Sequence, residues 1–150
     1  MERSRFKWFS APAVILLVGC GDDSSTAVPF SSIPKDKQLT ELSPDERQGV
    51  CEWGAGIAGR ELPPPGTRLN CDGIQLTFNG AGSCASTRPS PPECTATIAQ
   101  WEVCFPAFID RLAQDPCLIL DLSRSQSELE LFVNETPGCA GFGPCAYTIP

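Results

Sequence analysis

Residues 68–78 read RLNCDGIQLTF, and this stretch decides the fold class. Two short arms, Arg68–Cys71 and Ile74–Phe78, flank Asp72-Gly73, a dipeptide preferred in the two-residue type I′ turn of a β-hairpin. In the second arm apolar and polar residues alternate, so we expect one face of the hairpin to be buried. Because the neighbouring segments carry helical patterns, the sequence predicts an α+β fold.

A first helix is predicted before the hairpin. Ser43-Pro44-Asp45-Glu46 is a capping box with proline at the first helical position. The helix should extend to about Ala58, and the proline run at 63–65 stops it. One of its faces is apolar (Val50, Trp53, Ile57). A second face has small side chains, which would let another backbone come close: Cys51, Gly54, Ala55 and Ala58.

A second helix is predicted from a second capping box, Thr97-Ile98-Ala99-Gln100. An apolar stripe at helical spacing follows it and ends before Asp115: Ile98, Trp101, Phe105, Phe108 and Leu112. Pro106 interrupts this stripe, so we expect a kink or two short helices. Trp53 and Trp101 lie on apolar faces, which favours core packing over ligand stacking.

The segment after Cys117 has two interpretations. Ser125-Gln126-Ser127-Glu128 can cap a helix whose inward residues are Leu129, Phe132 and Val133. The run Glu128-Leu129-Glu130-Leu131 also alternates as a strand does, and periodicity does not separate the two. We favour the helix.

Eight of the nine cysteines are predicted to form four disulfides, because the chain has the marks of an exported protein. No CxxC pair and no histidine occurs, so the pattern does not favour a metal site or histidine-based catalysis. The small-residue face of the first helix suggests a bond between Cys51 and Cys104. The eight cysteines are Cys51, Cys71, Cys84, Cys94, Cys104, Cys117, Cys139 and Cys145.

The ninth cysteine, Cys20, ends an N-terminal segment typical of export. Arg3, Arg5 and Lys7 precede a short apolar run that ends in Leu17-Val18-Gly19-Cys20. This ending resembles the lipobox of bacterial lipoproteins, which implies cleavage after Gly19 and acylation of Cys20. Residues 1–19 are therefore expected to be a signal peptide. Residues 20–40, rich in Ser, Pro and Asp, are expected to form a flexible tether.

The charge of the chain bears on its partners. Without residues 1–19, the protein keeps 8 of its 11 basic and 17 of its 18 acidic residues, a net charge of −9. Nucleic-acid binding relies on basic side chains, so nucleic acid is not an expected partner. The lipid bilayer is an expected partner through acylated Cys20.

The cysteine pattern also resembles a group of largely uncharacterised, cysteine-rich bacterial lipoproteins. The resemblance covers Leu42 to Cys117 and rests on Cys51-Glu52-Trp53, Cys71-Asp72-Gly73, Cys94, Cys104 and Asp115-Pro116-Cys117. The segment after Cys117 departs from that pattern. The resemblance implies lipid anchoring in the bacterial cell envelope, and Gly21 rather than Asp after Cys20 fits delivery to the outer membrane, which is the expected location. It brings no catalytic residues, cofactor or metal.

The sequence therefore predicts one small disulfide-rich α+β domain at 41–150, with two or three helices and a β-hairpin. We expect a non-catalytic binding or structural protein. One alternative is a hydrolase of envelope sugars that uses only carboxylates, and a solvated acidic face is the simpler interpretation of those side chains: Glu102, Asp110, Asp115, Glu128 and Glu130. Another alternative is a rigid inhibitor of a secreted hydrolase with a protruding, disulfide-closed loop.

Phe142 is the candidate binding residue, with two interpretations left open. If Cys139 bonds to Cys145, a small loop presents Phe142 between two glycines as an exposed, rigid anchor. If these cysteines bond elsewhere, Phe142 folds back and fills the core, as large aromatic residues usually do.

Overall fold

Helix α1 (Pro44–Glu61) begins at the predicted capping box. In the computed structural model, which describes residues 27–80, 82–84, 87–119, 122 and 125–148, the Ser43 side chain accepts a hydrogen bond from the Glu46 backbone N–H. The Glu46 carboxylate accepts one from the Ser43 N–H at 2.7 Å. The helix ends one turn later than predicted, at the residue before Leu62. Because Leu62 precedes a proline, it is the first residue pushed out of helical geometry.

Helix α2 (Ile98–Gln114) is a single helix that contains Pro106, so the alternative of two short helices is wrong. The apolar stripe on both sides of Pro106 is buried, with Phe105 and Phe108 in the core. Burying a large apolar side chain contributes about 1.5–3 kcal/mol, and several such residues outweigh the roughly 3 kcal/mol cost of an internal proline. The helix ends before Asp115, as predicted.

The small-residue face of α1 packs against α2. A Cβ atom at Gly54 would lie 3.1 Å from the Phe105 ring, so glycine is what lets this ring approach the helix. Trp53 lies between Phe105 and Phe30, whose ring it stacks on at 4.2 Å. Trp101 is buried and stacks on Phe105. Both tryptophans therefore pack in or against the core, as predicted.

Residues 28–40 pack against the domain, unlike the tether expected there. Phe30, Ile33 and Leu39 are buried in the core. The Leu39 N–H donates to Ala96 O at 2.9 Å, and short 3-10 helices form at Phe30–Ser32 and Leu39–Glu41. Since these contacts join residues far apart in sequence, no local period announces them. The packed domain begins before residue 41, and residues 20–26 lie outside the described part.

Helix α3 (Gln126–Glu135) settles the helix-or-strand question in favour of the helix. The Ser125 side chain accepts from the Glu128 N–H, and Phe132 and Val133 are buried. Arg111 of α2 fixes the end of α3, because its Nη1 donates to Phe132 O at 3.1 Å and to Thr136 Oγ1 at 2.9 Å. The guanidinium also lies 4.0 Å from the centre of the Phe132 ring.

All eight predicted cysteines are paired. The bonds join Cys51 to Cys84, Cys71 to Cys117, Cys94 to Cys145, and Cys104 to Cys139. The predicted Cys51–Cys104 bond is wrong. The small-residue face of α1 packs against the ring of Phe105, and Cys104 is bonded to Cys139 instead.

Strands β1 (Arg68–Cys71) and β2 (Ile74–Thr77) form the predicted antiparallel hairpin. Asp72 and Gly73 have φ angles of 50° and 83°, as a type I′ turn requires. The Phe78 N–H still donates to Thr67 O at 2.8 Å, which continues the pairing by one residue pair. Helices, hairpin and disulfides together make the small disulfide-rich α+β domain that the sequence predicts.

Candidate functional site

Phe142, the predicted binding residue, is buried. Its side chain is 2% exposed and lies 5.7 Å, centre to centre, from the ring of Trp101. Of the two interpretations left open, the loop closed by a Cys139–Cys145 bond is wrong, because these residues pair with Cys104 and Cys94. Both bonds pull the ends of the 139–145 segment onto the core, so the ring turns inward. Phe142 is a core residue and not an exposed anchor.

The five candidate carboxylates have separate local surroundings. Glu102 forms an ion pair with Lys35 at 2.8 Å. Asp110 and Glu130 accept hydrogen bonds from glutamines one turn away on their own helices. Asp115 accepts from the Cys117 N–H, and Glu128 is exposed at the start of α3. Within the described ranges, no group of three or more His, Cys, Asp or Glu residues is arranged to hold a metal ion.

Glu46 is the carboxyl group with a clear electrostatic role. Lys37 Nζ lies 2.7 and 2.8 Å from its two oxygens, and the Ser43 N–H also donates to it. The Lys37 contact first, then the Ser43 N–H, hold the pKa of Glu46 below its ordinary value. The group ties the segment at 35–37 to the start of α1, so its role is structural.

The hairpin has an apolar face and a polar face. The pairs Cys71–Ile74 and Leu69–Leu76 place their side chains on one face, which Phe78 extends. Arg68, Asn70, Gln75 and Thr77 form the opposite face, and all four are exposed. The alternation that predicts the hairpin also predicts this division.

The apolar face is only partly covered, unlike the buried face that the sequence suggests. Cys71 is buried, Leu69, Leu76 and Phe78 are half-buried, and Ile74 is 44% exposed. An open groove of about 280 Å³ lies along it. We call it the hairpin groove, and its lining residues are Leu69, Leu76, Thr77, Phe78, Asn79, Gly80 and Ile119.

The hairpin groove lies outside the main core. Ile119 packs against the core cluster as well as lining the groove, whereas Leu69, Leu76 and Phe78 are not part of that cluster. The Cys71–Cys117 bond joins the tip of the hairpin to the segment that follows α2. The tight turn holds β1 and β2 together, and this bond holds β1 to the segment after α2. The groove is therefore largely formed before any ligand arrives.

Among the described residues, no strand pairs with the outer edge of β2. The Thr67–Phe78 hydrogen bond and the register place Leu69–Leu76 and Cys71–Ile74 among the hydrogen-bonded pairs. The backbone N–H and C=O groups of Gln75 and Thr77 therefore point away from β1. No hydrogen bond within the described ranges uses them, and both residues are exposed. The corresponding edge of β1 is approached by Cys117, whose Sγ lies 3.9 Å from Asn70 O.

Charged residues flank the groove without lining it. Asp72 follows Cys71 in the turn, and Asp115 lies two residues before Cys117, whose Cα is 5.4 Å from that of Cys71. The tip of the hairpin is therefore acidic. At the opposite end, Arg68 is exposed and pairs in register with Thr77.

The groove is the site that sequence reasoning missed. Ile74, Leu76 and Phe78 were visible as an apolar face, but their partial exposure was not. The sequence did contain one signal of this exposure, because it predicts an apolar hairpin face and no third strand to cover that face.

Among the described residues, the structure contains no helix long and apolar enough to cross a bilayer.

Cys20, the predicted lipidation site, lies outside the described residues, so the resemblance to bacterial lipoproteins stays a prediction. Compared with known proteins, the chain matches no protein-family model, no curated protein and no solved structure.

Proposed function

We propose that this chain is a non-catalytic, lipid-anchored binding protein of the bacterial cell envelope, which captures a partner in the hairpin groove. The observation that supports binding is the half-covered apolar face beside a disulfide-fixed hairpin. Ligand sites are typically concave, mostly apolar and largely formed in advance. A groove of about 280 Å³ is at the small end of such sites, so it suits one or two side chains of a partner.

The anchoring part of the proposal rests on the lipobox at 17–20 and on the four disulfides. Disulfides persist in oxidising compartments such as the bacterial periplasm and the cell surface. Acylation of Cys20 would hold the domain at a membrane, with the outer membrane as the proposed location. The net charge of −7 argues against nucleic acid as the partner.

The binding part is tested with a photoreactive amino acid in living cells. Leu76→p-benzoylphenylalanine places the cross-linker in the groove, and Leu131→p-benzoylphenylalanine is the matched control on α3, where Leu131 is 59% exposed. We expect a discrete adduct from the groove position, which Ile74→Glu in the same chain reduces. Equal adducts from both positions, or none from Leu76, would show that the groove has no specific partner.

The anchoring part is tested separately. Cys20→Ser should leave a precursor or release unacylated protein from the membrane fraction. If the variant still fractionates with membranes as processed, acylated protein, the assignment of Cys20 is wrong. This result does not depend on the groove.

A further inference from the structure

We propose that the hairpin groove binds an extended peptide segment, which adds to the free edge of β2 as a third strand. The segment is apolar at alternate residues and carries a basic residue beside Asp72. This inference rests on the proposed binding function and deepens it, since it names the class of partner and the atoms that recognise it.

The backbone of β2 supplies the first argument. Gln75 and Thr77 present N–H and C=O groups outward, and both residues are exposed. An extended peptide satisfies this row of donors and acceptors with its own backbone, as in known cases of strand addition. Edge strands are usually protected by charged residues or proline, and neither occurs in Ile74–Thr77.

The groove supplies the second argument. Residues directly opposite each other in a sheet place their side chains on the same face. Peptide residues opposite Gln75 and Thr77 would therefore lie on the polar face, and the residues between them on the apolar face beside Leu76 and Phe78. Because Thr77 itself lines the groove, the groove reaches the free edge. The site thus selects a peptide with apolar residues at every second position.

Charge supplies the third argument. The groove-lining residues are all uncharged, while the hairpin tip has Asp72 and, near it, Asp115. A peptide antiparallel to β2 ends at this tip, so a basic residue near its C-terminus meets these carboxylates. The chain as a whole carries −7, which also favours a cationic partner.

A second copy of the chain fits this edge less well. Two four-residue strands bury far less than the roughly 800 Å² per partner of a stable interface. Both copies would also carry the same net negative charge and the same acidic hairpin tip. A peptide of six or seven residues needs only the edge and the groove, so we commit to the peptide.

The test uses the oxidised protein as purified after export, and the protein is placed in lipid nanodiscs if it carries the lipid anchor. The probe is a dye-labelled peptide of sequence Thr-Val-Thr-Val-Thr-Val-Lys with blocked ends, and binding is followed by fluorescence anisotropy. Backbone amide shifts of Gln75 and Thr77 locate the peptide on the protein. We expect saturable binding with the largest shifts at these two residues.

Two modified peptides separate backbone pairing from apolar contact. N-methylation of the threonines removes the N–H groups that face Gln75 and Thr77, and we expect affinity to fall at least about tenfold, the equivalent of 1.4 kcal/mol. N-methylation of the valines is the matched control, because those N–H groups point away from the protein. A peptide with Glu for Lys should bind about three- to fivefold more weakly, the range of an exposed charge pair.

Two protein variants make the same distinction from the other side. Thr77→Pro removes one outward N–H and no hydrogen bond of the hairpin, which is where edge strands tolerate proline. Thr77→Val keeps the N–H and is its control. Asparagine tolerates the positive φ of this position, so Asp72→Asn should keep the turn and should reduce the preference for Lys over Glu, while Asp115 remains.

Three outcomes would overturn the inference. No saturable binding up to about 1 mM excludes a useful peptide site. Equal binding of both N-methylated peptides shows that the groove takes side chains without strand addition, and this result holds even if Thr77→Pro fails to fold. Concentration-dependent dimers that Thr77→Pro dissolves would assign the edge to a second copy. Each of these leaves the cross-linking test of the proposed function intact, so the two can fail independently.

Discussion

Phe142 shows at the scale of one residue how disulfide pairing changes the meaning of a sequence. The two glycines beside it suggest an exposed loop, but the bonds of Cys139 and Cys145 to other parts of the chain bring the ring against Trp101. The same seven residues would present the ring to solvent only if the two cysteines were bonded to each other. Its role is thus set by distant partners.

We predict that Phe142→Ala lowers the free energy of unfolding by about 3–5 kcal/mol, because it leaves a cavity beside Trp101. Urea unfolding under oxidising conditions measures it. Leu131→Ala is the control, and since Leu131 is mostly exposed it should change stability by less than about 0.5 kcal/mol. Similar small losses for both variants would contradict the buried position of Phe142.

Glu46 predicts a pH dependence. Its folded-state pKa lies below the ordinary value of 4.5, so the ion pair with Lys37 stabilises the fold above about pH 4.5. That contribution is lost as the pH falls through the lowered pKa. The side chains of Lys37 and Glu46 are 27% and 15% exposed, so we expect only roughly 0.5–1 kcal/mol.

Glu46→Gln isolates the ion pair, because glutamine removes the negative charge but can still complete the capping box with Ser43. At pH 7 the variant should be less stable than the wild type, and the difference should shrink as the pH falls below about 4.5 and through the lowered pKa of Glu46. Urea unfolding at a series of pH values gives the difference curve. A difference that is constant from pH 3 to pH 7 would exclude the ion pair as its cause.

At the scale of an element, α3 depends on α2 through Arg111. We predict that Arg111→Met destabilises the protein by about 1–3 kcal/mol, since Phe132 O and Thr136 Oγ1 lose a charged donor. Amide hydrogen exchange should quicken most in Gln126–Glu135. Arg88→Met, an exposed arginine between α1 and α2, is the control. Unchanged exchange in α3 would mean that apolar packing alone holds this helix.

The helices and the hairpin show which parts of the fold are determined by residues close together in the sequence. Ser43 and Thr97 start helices because their caps bond residues three positions away, and Asp72-Gly73 makes a turn from two residues, so all three are predictable. The continuous helix through Pro106 was not, because its stability comes from Phe105 and Phe108 packing against other elements. The partial exposure of the apolar hairpin face was missed for the same reason, because it depends on how other elements pack around the hairpin and not on the hairpin sequence.

At the scale of the whole molecule, the core extends into the segment that composition assigns to a tether. Phe30, Ile33 and Leu39 are buried, and each contributes about 1.5–3 kcal/mol. Domains typically have 5–15 kcal/mol in total. We therefore predict that an exported chain shortened to begin at residue 41 fails to fold, whereas one that begins at residue 27 folds.

Circular dichroism and a count of disulfides by mass spectrometry compare the two shortened chains. Equal melting temperatures would mean that residues 27–40 are dispensable, against their burial. Composition failed here because serines and prolines surround the three apolar residues, and the contacts that bury them are made with distant parts of the chain: Phe30 stacks on Trp53, and the Leu39 N–H donates to Ala96 O.

The four disulfides overlap along the chain, and the overlap has a consequence for survival among proteases. The spans 51–84, 71–117, 94–145 and 104–139 leave no peptide bond between Cys51 and Cys145 outside every covalent ring. A single backbone cleavage anywhere in this interval leaves both fragments joined by sulfur. A nicked molecule should therefore migrate intact on a non-reducing gel and separate into fragments only after reduction. A cleavage that would separate a domain without disulfides into two fragments leaves this one covalently connected, and the hairpin stays bound to the rest of the protein.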